Sequence, residues 1–182
     1  YDFLRTALMY EPRGHADMYG CVLVPANDPD GDFGIIFMHN EGYSTMCGHA
    51  IIAISTLAVY MHWIEVKEGE NKLKIDAPCG RITSYIQIKK GKIERVRFHS
   101  VPSFVVGLDR MVFVEWLGQV QYDLSYCGVF YAYVDIEKNN FDFDLSTKSY
   151  RTLIQKGIEI KRGVMQQDKD IIHTVENDLS FL

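Results

Sequence analysis

Apolar positions along this chain alternate with polar ones over short runs far more often than they recur at helical spacing, so the pattern predicts a protein dominated by strands. Strands are expected over 19–25 (YGCVLVP), 33–39 (FGIIFMH), 72–76, 81–89, 94–99, 103–106, 111–115, 119–123 and 130–135. These runs are rich in β-branched or aromatic residues and are bounded by Gly, Pro, Asp or Asn. Lys89-Lys90-Gly91-Lys92 reads as a hairpin turn, and Trp116-Leu117-Gly118 as another tight connection. Two helices interrupt the strands. Residues 48–61 (GHAIIAISTLAVYM) are apolar nearly all round, which places this helix in the core, inside a wrapping sheet. Thr147 to about Arg162 is amphipathic, with Tyr150, Leu153, Ile154, Ile158 and Ile160 among basic and polar residues, and Asp144 and Ser146 stand ready to cap it. With no repeat, linker or shift in composition, the expectation is one α+β unit over 1–182, a mixed β-sheet wrapped around a buried central helix.

Composition narrows the function classes. A chain of 182 residues with 47% hydrophobic, 24% charged and 13% aromatic residues is ordinary globular protein with room for a sizeable core. A net charge of −5 offers no basic face, which excludes nucleic acid and anionic membrane as electrostatically held partners. No apolar run approaches the roughly 18 residues that span a bilayer, and Tyr1-Asp2-Phe3-Leu4-Arg5 lacks a basic leader. A soluble, cytoplasmic protein is expected. The missing initiator Met and the apolar close at Asp178-Leu179-Ser180-Phe181-Leu182 read as cuts from something longer.

Cys21, Cys47, Cys79 and Cys127 are 26, 32 and 48 residues apart, so no CxxC or Cys/His spacing argues for a metal. GxGxxG and GxxxxGK[ST] are absent, which disfavours a nucleotide cofactor. Each Cys is by default a small buried hydrophobe. Cys47 differs, because Asn40 to Ala50 (NEGYSTMCGHA) puts it after a turn and at the mouth of the apolar helix, with Ser44 or Thr45 available as N-cap. Free backbone N–H groups and the positive end of the helix dipole favour an anion there, and thiols so placed ionise more easily. The amides of Gly48, His49 and Ala50 make the same turn a site for a carboxylate or phosphate.

Several stretches together carry a resemblance. Glu11-Pro12-Arg13-Gly14-His15 with Asp17-Met18-Tyr19-Gly20, then His39 to Ala50, then Ser100-Val101-Pro102-Ser103-Phe104-Val105, then Tyr126-Cys127-Gly128-Val129-Phe130-Tyr131-Ala132, resemble the proline racemase family in order and spacing. That family includes proline racemases, hydroxyproline 2-epimerases and trans-3-hydroxy-L-proline dehydratases, all independent of cofactors and metals. The resemblance implies one lobe of a two-lobed, diaminopimelate epimerase-like fold. It makes Cys47 the base that moves the substrate Cα proton, Gly48 and His49 the amides that hold the substrate carboxylate, and Tyr19 a wall for the pyrrolidine ring. A small-molecule substrate, a proline or hydroxyproline, and a homodimer follow by the same analogy.

The family's second lobe should carry an Asp-Arg-Ser-Pro-x-Gly-Thr-Gly-like motif whose x residue faces Cys47, and this chain has none. It is therefore expected to be the first lobe, inactive alone. A Cys at x implies racemisation or epimerisation; a Thr or Ser implies dehydration to a pyrroline-2-carboxylate. His39-Asn40-Glu41-Gly42-Tyr43-Ser44-Thr45 ahead of the MCGH motif favours the dehydratase branch by resemblance. Two other classes stand beside the enzyme: a non-catalytic lobe that binds a carboxylate, and a thiol-redox protein, weakened by the lack of a resolving CxxC partner. His15 is expected in an Arg-carboxylate network with Glu11, Arg13 and Asp17, and His39 and Glu41 are expected to orient the Cys47 loop. His62, His99 and His173 have no partner pattern.

Overall fold

The computed structural model describes residues 2–172. Its elements run α1 (Asp2–Met9), β1 (Tyr19–Val24), β2 (Phe33–His39), β3 (Gly42–Ser44), α2 (Gly48–Tyr60), β4 (Gly69–Ala77), β5 (Gly80–Lys89), β6 (Lys92–His99), β7 (Phe104–Val114), β8 (Gly118–Tyr126), β9 (Phe130–Tyr133) and, after a short 3₁₀ turn at Thr147–Ser149, α3 (Tyr150–Gln167). The chain groups into two compact units, one up to Val101 and one from Pro102 on. Composition gives no warning of the division because the alternating pattern continues unchanged across it.

The first unit is a curled mixed sheet ordered β1-β2-β4-β5-β6, with β3 paired to β2. Only the β2–β4 pairing is parallel; the other neighbours are antiparallel. In β5 every second residue, Ile82, Ser84, Ile86 and Ile88, is buried, as period-two alternation requires when one face of a sheet is covered. What covers it is α2, which packs on β5 and β6 through Ile51, Ile54, Ser55 and Ala58. Their i, i+3, i+4, i+7 spacing forms one helical stripe, and burying each Ile side chain stabilises the packing by roughly 1.5–3 kcal/mol. The two buried hydroxyls satisfy each other, with Ser55 Oγ and Ser84 Oγ 2.8 Å apart. The enclosing sheet is not complete, however: Ile52 and Leu57 on the opposite side of α2 are about two-fifths exposed. An apolar helix is thus buried on one face only within its unit.

The expected hairpin at Lys89–Lys92 is present, with Lys90 and Gly91 at positive φ and their amides donating to the Glu68 carboxylate. Three differences concern boundaries. The eight-residue α1 has no counterpart in the expectations, and β3 is too short to show a pattern. Residues 103–106 and 111–115, expected as two strands, belong to one strand β7, whose register slips between Val105 and Arg110. Bulges let it absorb Gly107 and the positive φ of Asp109 without ending.

The second unit is the antiparallel sheet β7-β8-β9 with α3 packed on β7. Its core comes from Val112, Val114, Val120, Leu124 and Phe130 on the sheet and Ile160 and Val164 on the helix. Close approach is possible at Gly163, where a Cβ would stand 3.1 Å from Val114 Cγ2. As expected, Asp144 and Ser146 organise the start of this segment: the Asp144 carboxylate accepts from Ser146 N and Ser149 Oγ. The buried face is shifted, since Tyr150 and Ile154 point outward.

Candidate active site

Cys47 itself is the N-cap of α2, with extended backbone (φ −147°, ψ 106°) and its carbonyl accepting from Ile51 N at 3.1 Å. Ser44 and Thr45, the expected caps, lie too early. Thr45 is buried instead, and its carbonyl accepts from Cys79 N at 3.2 Å, which ties the loop before Cys47 to the β4–β5 turn. The first amides of a helix have no partner within it. Among the described residues, those of Gly48, His49 and Ala50 find none outside it either. Three donors therefore stand beside the Cys47 thiol at the positive end of a 13-residue helix.

Beside this turn the first unit has an open cleft of about 640 Å³. Tyr19 and Cys21 of β1 form one wall; Cys47, His49, Ala50, Ala53, Ile54 and Leu57 form the other. The lining contains no Lys, Arg, Asp or Glu. An anion here would be held by backbone amides, while the apolar walls suit a small ring. Among the described residues, no group of three or more His, Cys, Asp or Glu could hold a metal.

Of the residues singled out from sequence, Tyr19, Cys47 and His49 meet in this cleft. Gly48 is not part of its lining and offers only its backbone; a Cβ there would stand 2.9 Å from Phe98 Cζ. Cys21, expected to be a small buried hydrophobe, lines the same cleft. The signal was available, because Tyr19 and Cys21 are i and i+2 on one strand and so face the same way. Burial pushes the Cys21 thiol up from its ordinary value, and the neighbouring Cys47 adds to this.

Behind the wall, the Tyr19 ring stacks on His39, its cross-strand partner, at 5.9 Å between centroids and 16° between planes. His39 Nδ1 accepts from Glu41 N at 3.3 Å, so His39 orients the loop as expected. The turn is held from α1: the buried Arg5 donates from Nη1 to the carbonyls of His39 at 2.7 Å and Asn40 at 2.5 Å. Asn40 Nδ2 donates to Met9 O and His15 O, and Tyr10 Oη donates to Asn40 O. Its hydrogen bond with Arg5 keeps the Asp2 carboxyl below the usual carboxylate range. This clamp replaces the network expected around His15, Glu11, Arg13 and Asp17, in which no ion pair forms among the described residues. Arg5 was missed because an isolated Arg on a short helix carries no sequence signal of burial. His99, read as unpartnered, stands against Tyr85 and Arg97; His173 lies outside the described residues.

The comparisons with known proteins agree with this geometry. A trans-L-3-hydroxyproline dehydratase of Xenopus tropicalis is 42% identical over 182 residues, covering all of this chain and 51% of that protein. A 3-hydroxyproline 2-epimerase of Burkholderia multivorans is 46% identical over 160 residues, covering 88% of this chain and 47% of that protein. The crystal structure of a hydroxyproline epimerase from Agrobacterium vitis, with bound trans-4-hydroxy-L-proline, superposes with a TM-score of 0.88 at 28% identity, over 97% of this chain and 51% of that one. The chain thus spans about half the length of the relatives it matches. The proline racemase family model matches residues 1–182 throughout, and the chain, with Cys47, the amides after it and Tyr19 gathered at one cleft, belongs to the proline racemase family.

Proposed function

We propose that this chain carries the proton-abstracting site of a cofactor-independent enzyme acting on trans-3-hydroxy-L-proline. The amides of Gly48 and His49 take the substrate carboxylate, the ring lies against Tyr19, and the Cα–H bond points at Cys47 Sγ. The Cys47 thiolate removes the Cα proton. As negative charge spreads from Cα into the carboxylate, the same amides bind it more strongly, which lowers the barrier rather than only improving binding. The electron pair left on Cα then expels the 3-hydroxyl, which leaves as water after taking a proton. The resulting C2=C3 enamine tautomerises to Δ1-pyrroline-2-carboxylate.

The observation that carries this reading is the position of Cys47 at the mouth of α2, facing an uncharged cleft beside three unpartnered amides. Dehydration is favoured over epimerisation by the 42% identity to the dehydratase over the whole chain. The group that would act on the opposite ring face is assigned to the part of a family-length protein that this chain does not span. Four free cysteines suit a reducing, cytoplasmic setting. The second reading, epimerisation by return of a proton to the other face, rests on the 46% identity to the 3-hydroxyproline 2-epimerase.

A family-length protein containing this chain distinguishes them. Incubated with trans-3-hydroxy-L-proline, it should release one pyrroline per substrate consumed. Accumulation of the C2 epimer without pyrroline selects the second reading, and neither product refutes both.

A further inference from the structure

The reaction uses one of the two thiols in the cleft and leaves Cys21 without a role. Cys21 lies on β1 opposite Phe37 of β2, and Phe37 in turn pairs with Ser44 of β3, three residues before Cys47. One row of side chains across three strands therefore leads from Cys21 to the Cys47 loop. Both sulfurs are half-buried, both pack against the cluster that contains Phe37, and both line the same cleft. Cys47, as N-cap, has extended backbone, and among the described residues no hydrogen bond holds its sulfur. The fold thus brings to the Cys47 cleft a second thiol from 26 positions earlier, where the sequence offered no CxxC partner.

We propose that Cys21 and Cys47 form a reversible, peroxide-driven disulfide that shuts down the cleft. The Cys47 thiolate attacks hydrogen peroxide: an S–O bond forms, the O–O bond breaks, and hydroxide leaves as water after taking a proton. The sulfur of Cys47 is oxidised by two electrons to the sulfenic acid while the peroxide is reduced. Cys21 then attacks that sulfur, forming the S–S bond and releasing a second water. Cys21 is the resolving thiol. Burial, and then the proximity of Cys47, push the Cys21 thiol up, and its proton passes to the departing hydroxyl as the S–S bond forms. The disulfide removes the base and blocks the walls between Tyr19 and His49, and a dithiol reductant restores both sulfurs. Without Cys21, a second peroxide would take Cys47 on to the sulfinic acid, which dithiols do not reverse.

The effect on turnover rests on the function proposed above; the covalent chemistry does not. The test treats the family-length protein with a small excess of hydrogen peroxide, blocks remaining thiols, and maps peptides by mass. Wild type should lose about 2 Da as a Cys21–Cys47 link and recover most of its pyrroline formation in dithiothreitol. Cys21→Ser and Cys21→Ala should instead gain about 32 Da on Cys47 and recover at least roughly tenfold less. Cys79→Ser should behave as wild type. A link from Cys47 to Cys79, no link at all, or equal recovery in the Cys21 variants overturns the proposal. If the link forms but the reduced protein makes no pyrroline, the redox pair stands and the proposed reaction falls.

Discussion

Gly48→Ala separates the amide site from the fold that presents it. An added Cβ would lie 2.9 Å from Phe98 Cζ and 3.3 Å from Phe98 Cε1, so the ring or the first turn of α2 must give by several tenths of an ångström. Overpacking of this kind costs about 1–3 kcal/mol, and replacing Gly by Ala in a helix returns up to about 1 kcal/mol. The net destabilisation should be about 1 kcal/mol, a loss of no more than roughly 2 °C in Tm for a protein of family length. Catalysis should suffer more, because a misplacement of about 1 Å at a reacting group costs about 100-fold in rate. A shift of some tenths at the carboxylate amides is therefore expected to lower kcat/KM about tenfold. The assay is pyrroline formation by the family-length protein, with thermal unfolding measured alongside. Phe98→Leu should relieve the clash, so the double variant should recover most of the lost kcat/KM, giving a favourable coupling. Activity of Gly48→Ala within twofold of wild type would refute the assigned amide role, as would a loss that Phe98→Leu leaves unchanged.

Other expectations follow from the same geometry. His39→Ala removes the ring stacked under Tyr19 and should raise KM roughly threefold to tenfold with a smaller change in kcat, while His39→Phe, which keeps a stack, should restore much of it; steady-state kinetics decides. Ser55→Ala and Ser84→Ala each remove the bond between two buried hydroxyls, while the hydroxyl that remains keeps a backbone carbonyl, Ile51 O for Ser55 and Arg97 O for Ser84; each should cost about 0.5–1.5 kcal/mol in urea unfolding, and the double variant less than the sum. Burial, followed by the hydrogen bond to Asp168, pushes the Tyr122 hydroxyl up to about 12 from 10.0. Native protein then holds that proton more tightly than unfolded chain, so its stabilisation is full below pH 10 and is lost as pH rises toward 12. Tyr122→Phe should flatten this alkaline limb in unfolding measured across pH.

The strands were readable because one covered face imposes strict alternation, as at Ile82, Ser84, Ile86 and Ile88. The helix at Gly48 was readable from its apolar content, but its open face was not: the same residues serve a buried side and a side that awaits a ligand or cover. Ser44 and Thr45 have the chemistry of a cap, yet tertiary contact overrides it, since Thr45 is drawn into the interior by Cys79. The grouping on either side of Val101 has no sequence signal, because two alternating sheets joined by one short segment share one pattern. Cys47, Gly48, His49 and Tyr19 came from motif and resemblance. Cys21 was within reach of the strand pattern that places it beside Tyr19, whereas Arg5 was not, because its long side chain reaches carbonyls more than thirty residues away in sequence.

The reading depends above all on the Cys47 sulfur taking the substrate proton. Deuterium uptake at Cα of trans-3-hydroxy-L-proline or proline in D₂O, followed by NMR or mass spectrometry with the family-length protein, measures that step directly. Wild type should label Cα or release deuterated pyrroline, and Cys47→Ala should do neither at any pH while unfolding at a Tm close to wild type. Label incorporated by Cys47→Ala at the wild-type rate would contradict the assignment and move the base elsewhere in the protein.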